Sequence, residues 1–163
     1  MLTGAGVAEA EALFALYRKH RLTFATAESC TGGLVAALIT AIPGSSAVFE
    51  RGFVTYSNAA KSECLGVPAD MIAHFGAVST EVACAMAIGT LDHSPADVAV
   101  SITGIAGPDG GSIEKPIGLV HFACLRRERP PVVSERRFGP IGRSQIRTAA
   151  VFHAFKMLAD AAI

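Results

Sequence analysis

Residues 96–103, "ADVAVSIT", form a nearly continuous apolar run that leads into the glycine-rich stretch "GIAGPDGGSIEKPIG". An extended segment with no polar alternation has no face to offer to water. It must be covered on both sides, which is the situation of a central strand in a parallel sheet flanked by helices. One such strand already commits the chain to a layered α/β fold.

The surrounding pattern supplies the covering layers. Residues 6–19 carry a helical face of Val7, Ala10, Leu13, Leu16 and Tyr17, and residues 23–28 ("TFATAE") read as a strand. A helix is predicted from Thr31 or Gly32 to the Pro43-Gly44 stop, then a strand from Phe49 to Ser57. Asn58 is placed to cap a short helix closed by Gly66; a second short helix runs from Pro68 to Phe75 and ends at Gly76. Ser79 is placed to cap a helix running to about Leu91. Residues 117–125 and 132–138 read as a strand pair turning at Pro130-Pro131, and a last helix spans Gly142 to Ala161. This order predicts a three-layer α/β/α sandwich around a mixed, mostly parallel sheet of about five or six strands, in a single domain over residues 1–163.

Composition narrows the function classes. With 163 residues, 51% hydrophobic and 17% charged, the chain is long and apolar enough for a real core, and disorder is excluded. No apolar stretch approaches 18 residues, so no membrane partner is expected. The first twenty residues lack a basic start followed by an apolar block and read as an amphipathic helix, not a signal peptide. Cys30, Cys64, Cys84 and Cys124 are scattered with no C-x-x-C pair, which points to reduced thiols, no zinc site and a cytoplasmic setting. A net charge of zero argues against nucleic-acid binding. The high apolar fraction of a small chain suggests a homo-oligomer. Seven arginines fall between Arg126 and Arg147 against only Glu128 and Glu135. They read either as a solvated hairpin or as one or two groups facing a phosphate or carboxylate.

In open α/β sheets, ligands bind at the carboxyl ends of the strands. Three polar, glycine-bearing stretches meet that description: Glu28-Ser29-Cys30-Thr31-Gly32-Gly33, then Tyr56-Ser57-Asn58 with Lys61, then Thr103-Gly104 and the loop to Gly111. Ser29 is a nucleophile or a helix cap. As a nucleophile it would have backbone N–H groups beside it, with Gly32 and Gly33 leaving room for a substrate to reach them. Lys61 is the better base, since none of the five histidines falls beside this site; its alternative is a surface charge. Burial and nearby arginine charge would lower its pKa and let it accept a proton. Cys30 competes as nucleophile, because a helix N-terminus lowers a thiol pKa. Tyr56 is either sheet packing or part of the site. The run Gly104, Gly107, Gly110, Gly111 is no Walker A loop; it is a wide turn or a set of amides facing an anion.

The stretches "TAESCTGGLVA", "GSSAVFERGFVTYSNAAKSECLGV", "GAVSTEVACAMAIG" and "VSITGIAGPDGGSIEKPIGLVHFA" resemble the CinA C-terminal domain family, whose enzymatic members are nicotinamide-nucleotide amidases. The resemblance runs from about Val7 to the last helix. It implies hydrolysis of the carboxamide of nicotinamide mononucleotide, a small-molecule nucleotide, to nicotinic acid mononucleotide and ammonia, without a cofactor or metal. It also implies a nucleophile at Ser29, partners at Lys61 and Tyr56, and substrate contacts at Thr103 and Gly104. The family's arginine at the start of the last helix falls on Arg143, with Arg147 as substitute. Cys30, Thr31, Gly32, Gly33 and Asn58 complete the expected substrate-binding set. Many relatives carry a further N-terminal domain, and this chain is expected to act without it. A non-catalytic nucleotide-binding module and an amidase of another small carboxamide are the rival functions.

Overall fold

The computed structural model describes residues 4–163. In chain order the elements are α1 (Ala5–His20), β1 (Phe24–Glu28), α2 (Leu34–Thr40), β2 (Phe49–Val54), α3 (Asn58–Leu65), α4 (Ala69–Phe75), α5 (Thr80–Asp92), β3 (Val98–Gly104), β4 (Leu119–Arg126), β5 (Val132–Arg137) and α6 (Arg143–Ala162). The five strands form one sheet in the order β2-β1-β3-β4-β5. β1 pairs in parallel with β2 and β3, while β4 is antiparallel to both β3 and β5. Four strands therefore point one way and β4 alone runs back, the mixed, mostly parallel sheet that was expected.

The apolar run of residues 96–103 becomes β3, and Val98 to Ile102 are all buried. Val98, Val100 and Ile102 join a large core with Tyr17, Phe24, Ile39, Phe122, Ile146 and Leu158, beneath the layer of α1, α2 and α6. Ala99 turns the other way, toward Ala25 and Leu91, and Ser101 Oγ donates to the Ala83 carbonyl of α5 at 2.6 Å. Large side chains face one helical layer and small ones the other. Alanines at 25, 27, 99 and 123 let α5 lie close to the sheet, with α3 and α4 packed beside it.

Two element starts differ from expectation. α2 begins at Leu34, later than Thr31 or Gly32, because Gly32 (φ 60°) and Gly33 (φ 91°) both take left-handed backbone that a helix does not continue. The cap of α3 is Ser57 and not Asn58: Ser57 Oγ accepts from the Ala60 N–H at 3.0 Å, and Asn58 is the first helical residue. Ser79 does cap α5, accepting from the Val82 N–H. Both short helices close at glycine, Gly66 and Gly76. No helix among the described residues is long and apolar enough to cross a membrane.

Because β1, β2 and β3 are parallel, their carboxyl ends lie on one edge of the sheet. The three polar stretches singled out in the sequence follow those ends.

Candidate active site

The site begins with strand alternation. Successive residues of a strand face opposite sides of the sheet. In β1, Thr26 and Glu28 face α2, whereas Ala27 belongs to the core beneath α3, α4 and α5. Glu28 is 1% exposed, and its two carboxylate oxygens accept from the N–H groups of Gly33 (3.0 Å), Val35 (3.1 Å) and Ala36 (3.0 Å). The N-terminus of α2 is thus capped by a glutamate lying ahead of it in the chain. Ser29, the residue suspected of capping, makes no cap bond to α2. Its hydroxyl is free for other work.

That hydroxyl meets Lys61. Lys61 lies one turn into α3, where the helix presents its inner face to the end of β1. The side chain is 1% exposed, and Nζ donates to Ser29 Oγ at 3.1 Å and to the Thr55 carbonyl at 2.9 Å. Burial holds its pKa below the usual lysine range. No arginine is among the causes of this lowering, contrary to expectation. Among the described residues no acid bonds Lys61; its partners are the Ser29 hydroxyl and the Thr55 carbonyl, both neutral.

A cleft of about 210 Å³ opens over this pair, lined by Ser29, Cys30, Tyr56, Asn58, Lys61, Thr103, Gly104 and Arg143, together with Ala77, Val78 and Ala106. Eight of the eleven residues expected at the site are gathered there. The other three, Thr31, Gly32 and Gly33, are not on its wall. The Gly32 N–H already bonds the Ser29 carbonyl, and the Gly33 N–H bonds Glu28. Their glycine character serves the turn and does not open a path to free amides. Thr31 is fully buried, and its carbonyl accepts from Arg147 at 2.9 Å. The N–H groups of Cys30 and Thr31 have no acceptor among the described residues and are the turn's remaining donors.

Other expectations are also corrected. Cys30 is buried, and burial pushes its thiol pKa up to about 12, the reverse of the lowering a helix N-terminus would give. A thiolate at this position is disfavoured. Tyr56 makes no hydrogen bond to Lys61; that role belongs to the Thr55 carbonyl. The Tyr56 phenol oxygen instead accepts from Arg143 at 2.9 Å, and the ring is 61% exposed at the cleft mouth. Thr103 Oγ1 donates to the Ala77 carbonyl at 2.7 Å and so ties down the opposite wall. Gly104 is required by the sheet: a Cβ there would lie 2.7 Å from Val120 Cγ2 and 2.8 Å from the Leu119 oxygen.

The arginine cluster disperses. Arg126 donates to the Ala161 carbonyl, Arg127 to the carbonyls of Leu91, Ser94 and Ala96, and Arg137 pairs with Glu135. Of the seven, Arg143 reaches the cleft, braced by the Gly107 carbonyl at 2.7 Å. Arg147 lies behind the Ser29 turn. Sequence reasoning noted Glu28 but gave it no role, and it missed Thr55. The signal for Glu28 was the period of two, which sets it under α2 and Ser29 on the opposite side.

Fold and cleft together define the class: a three-layer α/β protein with a buried Ser–Lys pair at the carboxyl edge of its parallel strands. Residues 7–162 match the CinA C-terminal domain, and the chain belongs to that family. Nicotinamide-nucleotide amidohydrolase PncC of Escherichia coli (strain K12) is 53% identical over 136 residues, covering 83% of this chain and 82% of that protein. A CinA-like protein of Citrifermentans bemidjiense is 51% identical over 144 residues, 88% of this chain but 34% of its own length. The chain therefore spans about a third of the CinA-like proteins it matches. The crystal structure of competence/damage inducible protein CihA from Agrobacterium tumefaciens superposes with a TM-score of 0.96 at 48% identity, covering 99% of this chain and 98% of that one.

Proposed function

We propose that this chain hydrolyses the carboxamide of nicotinamide mononucleotide to nicotinic acid mononucleotide and ammonia, with Ser29 as nucleophile and Lys61 as its base. The observation that carries the reading is the buried 3.1 Å contact between Lys61 Nζ and Ser29 Oγ. A binding module has no use for an unpaired lysine amine held in the dark against a serine hydroxyl. A nucleophilic hydrolase does. The name of the E. coli relative, nicotinamide-nucleotide amidohydrolase, supports the nucleotide class, and the mononucleotide is the member proposed here.

Neutral Lys61 takes the Ser29 proton as Oγ attacks the amide carbon. The N–H groups of Cys30 and Thr31 are the donors left in the turn to receive the developing oxyanion, a contribution worth about 10²–10³ in rate per donor in other hydrolases. The proton on Lys61 passes to the departing amine, ammonia leaves, and water cleaves the acyl-enzyme with Lys61 again as base. Arg143 at the mouth takes the phosphate, and Tyr56, held by Arg143, flanks the entrance. Thr103 and Gly104 shape the far wall. The reaction needs no cofactor or metal. The protein works in the cytoplasm, as a homo-oligomer, on a small-molecule nucleotide.

Ammonia release from nicotinamide mononucleotide by the purified protein tests this reading directly. Turnover that is absent in Ser29→Ala supports it. No release from this substrate, with release from another carboxamide, would move the substrate but keep the pair.

A further inference from the structure

Glu28 is a buried acid beside the site, and the reaction described above gives it no step. Its position is unusual for a cap. Short polar residues immediately before a helix usually take this duty, accepting from the N–H two or three residues on. The residue immediately before α2 is Gly33, which has no side chain to do this. Glu28 reaches from the end of β1 and accepts three α2-end N–H groups, those of Gly33, Val35 and Ala36, along with a longer contact from Thr26 Oγ1 at 3.4 Å.

The same residue also touches the other half of the pair through its backbone. The Glu28 carbonyl accepts from the Thr55 N–H at 3.0 Å, and the Thr55 carbonyl in turn accepts from Lys61 Nζ at 2.9 Å. The following N–H, that of Ser29, is fixed by the Ile102 carbonyl of β3 at 2.9 Å. Glu28 therefore sits where β1, β2 and α2 meet, bonded on one side to the turn that carries Ser29 and on the other to the strand end that holds Lys61.

We infer that Glu28 is a positioning residue for the Ser29–Lys61 pair: its buried carboxylate fastens the far end of the Ser29 turn to the start of α2 while its carbonyl holds Thr55, the second partner of Lys61, so that Ser29 Oγ stays aimed at Lys61. The inference rests on the Ser–Lys reading above. Two consequences separate it from a purely structural role. Loss of the carboxylate loosens the turn that carries Ser29, so the chemical step slows in molecules that are fully folded. The cleft walls that bind the nucleotide, built from α3, β3 and Arg143, are untouched, so binding persists.

Glu28→Gln tests this, because it keeps the side-chain volume but replaces one of the two accepting oxygens by an NH2 group, which then faces the Ala36 N–H or those of Gly33 and Val35. Ala37→Gly, which weakens α2 without touching the cleft, serves as the stability control. For both variants kcat and KM for nicotinamide mononucleotide are measured across pH, and nicotinic acid mononucleotide binding is titrated by calorimetry to count competent sites. Glu28→Gln is expected to lose about 30–100-fold in kcat, the scale of a 1 Å misplacement, with KM and product affinity within about 3-fold and one site retained per chain. Ala37→Gly is expected to keep kcat at an equal loss of Tm. Glu28→Asp keeps the charge on a shorter reach and provides an intermediate kcat should the Gln variant not fold. Wild-type kcat in a folded Glu28→Gln or in Glu28→Asp, or a loss of kcat matched by a loss of sites, overturns the inference. If Ser29→Ala retains activity in the same assay, the Ser–Lys reading itself has failed, and the two failures are told apart.

Discussion

Lys61 Nζ and Ser29 Oγ are 3.1 Å apart although 32 residues separate them, and the amine is almost wholly enclosed. Its second partner is a neutral carbonyl. A lysine in that setting is pushed toward its uncharged form, and the group beside it is the hydroxyl it would deprotonate.

Ser29→Ala is expected to abolish amide hydrolysis, a loss of at least about 10³-fold, with the fold intact because Ser29 does not cap α2. Cys30→Ala should cost far less, since its thiol is buried and protonated. Steady-state ammonia release from the two variants checks this; a dead Cys30→Ala beside an active Ser29→Ala would reverse the nucleophile assignment.

The rate should rise with pH as Lys61 gives up its proton, along a limb whose midpoint lies below the usual lysine pKa of about 10.4. Lys61→Arg should fail, because guanidinium stays charged and cannot accept a proton. Lys61→Met should also fail in turnover, with product binding less affected. An active arginine variant would show that position 61 supplies only charge.

The same burial predicts a stability effect of definite sign. The folded chain holds the Lys61 pKa below its unfolded value, so folding releases a proton between the two pKa values. Wild-type stability arising from this group is therefore lowest at and below the folded-state pKa and recovers as pH rises toward the unfolded one. Lys61→Met removes the cost, and its Tm should equal or exceed that of wild type at neutral pH, by about 2–4 °C for each kcal/mol regained. The gap should narrow toward pH 10. Calorimetric melting of both proteins at several pH values decides it, and a Met variant that is less stable at every pH refutes it.

Arg143→Ala should raise KM for the nucleotide by about 10-fold or more while kcat falls less, since Arg143 stands at the cleft mouth with Tyr56. Arg147→Ala should instead lower kcat, because its contact is the Thr31 carbonyl behind the nucleophile turn. The split between KM and kcat in the two variants is the measurement, and a shared pattern would undo the assignment.

Gly104→Ala should destabilise the protein by about 1–3 kcal/mol, the scale of overpacking in a filled core, because the new methyl meets β4. Denaturant unfolding reads this, and a neutral substitution would mean that β3 and β4 separate easily at this end.

The amino-acid sequence alone determined the layers. A strand apolar on both faces at Val98–Ile102 has to be sandwiched, and periods of two and 3.6 in the flanking segments are local properties that any reader of the chain can count. It also placed Ser29, Lys61, Tyr56 and Thr103 near one edge, because parallel strands deliver their carboxyl ends to the same side; Arg143 came only from the family resemblance. Tertiary structure decided what those residues do. Whether Ser29 caps a helix or faces a lysine depends on where α2 begins and on which face of the sheet α3 lies; α2 begins at Leu34, Glu28 takes its N–H groups, and Ser29 faces Lys61 on the other side. Whether Cys30 is reactive depends on how deeply the fold buries it. Which of seven arginines meets solvent, a carbonyl or the cleft depends on where α6 and the β4–β5 hairpin lie against the sheet. Hydrogen-bond competition and desolvation are properties of the packed state, and spacing along the chain carries no record of either.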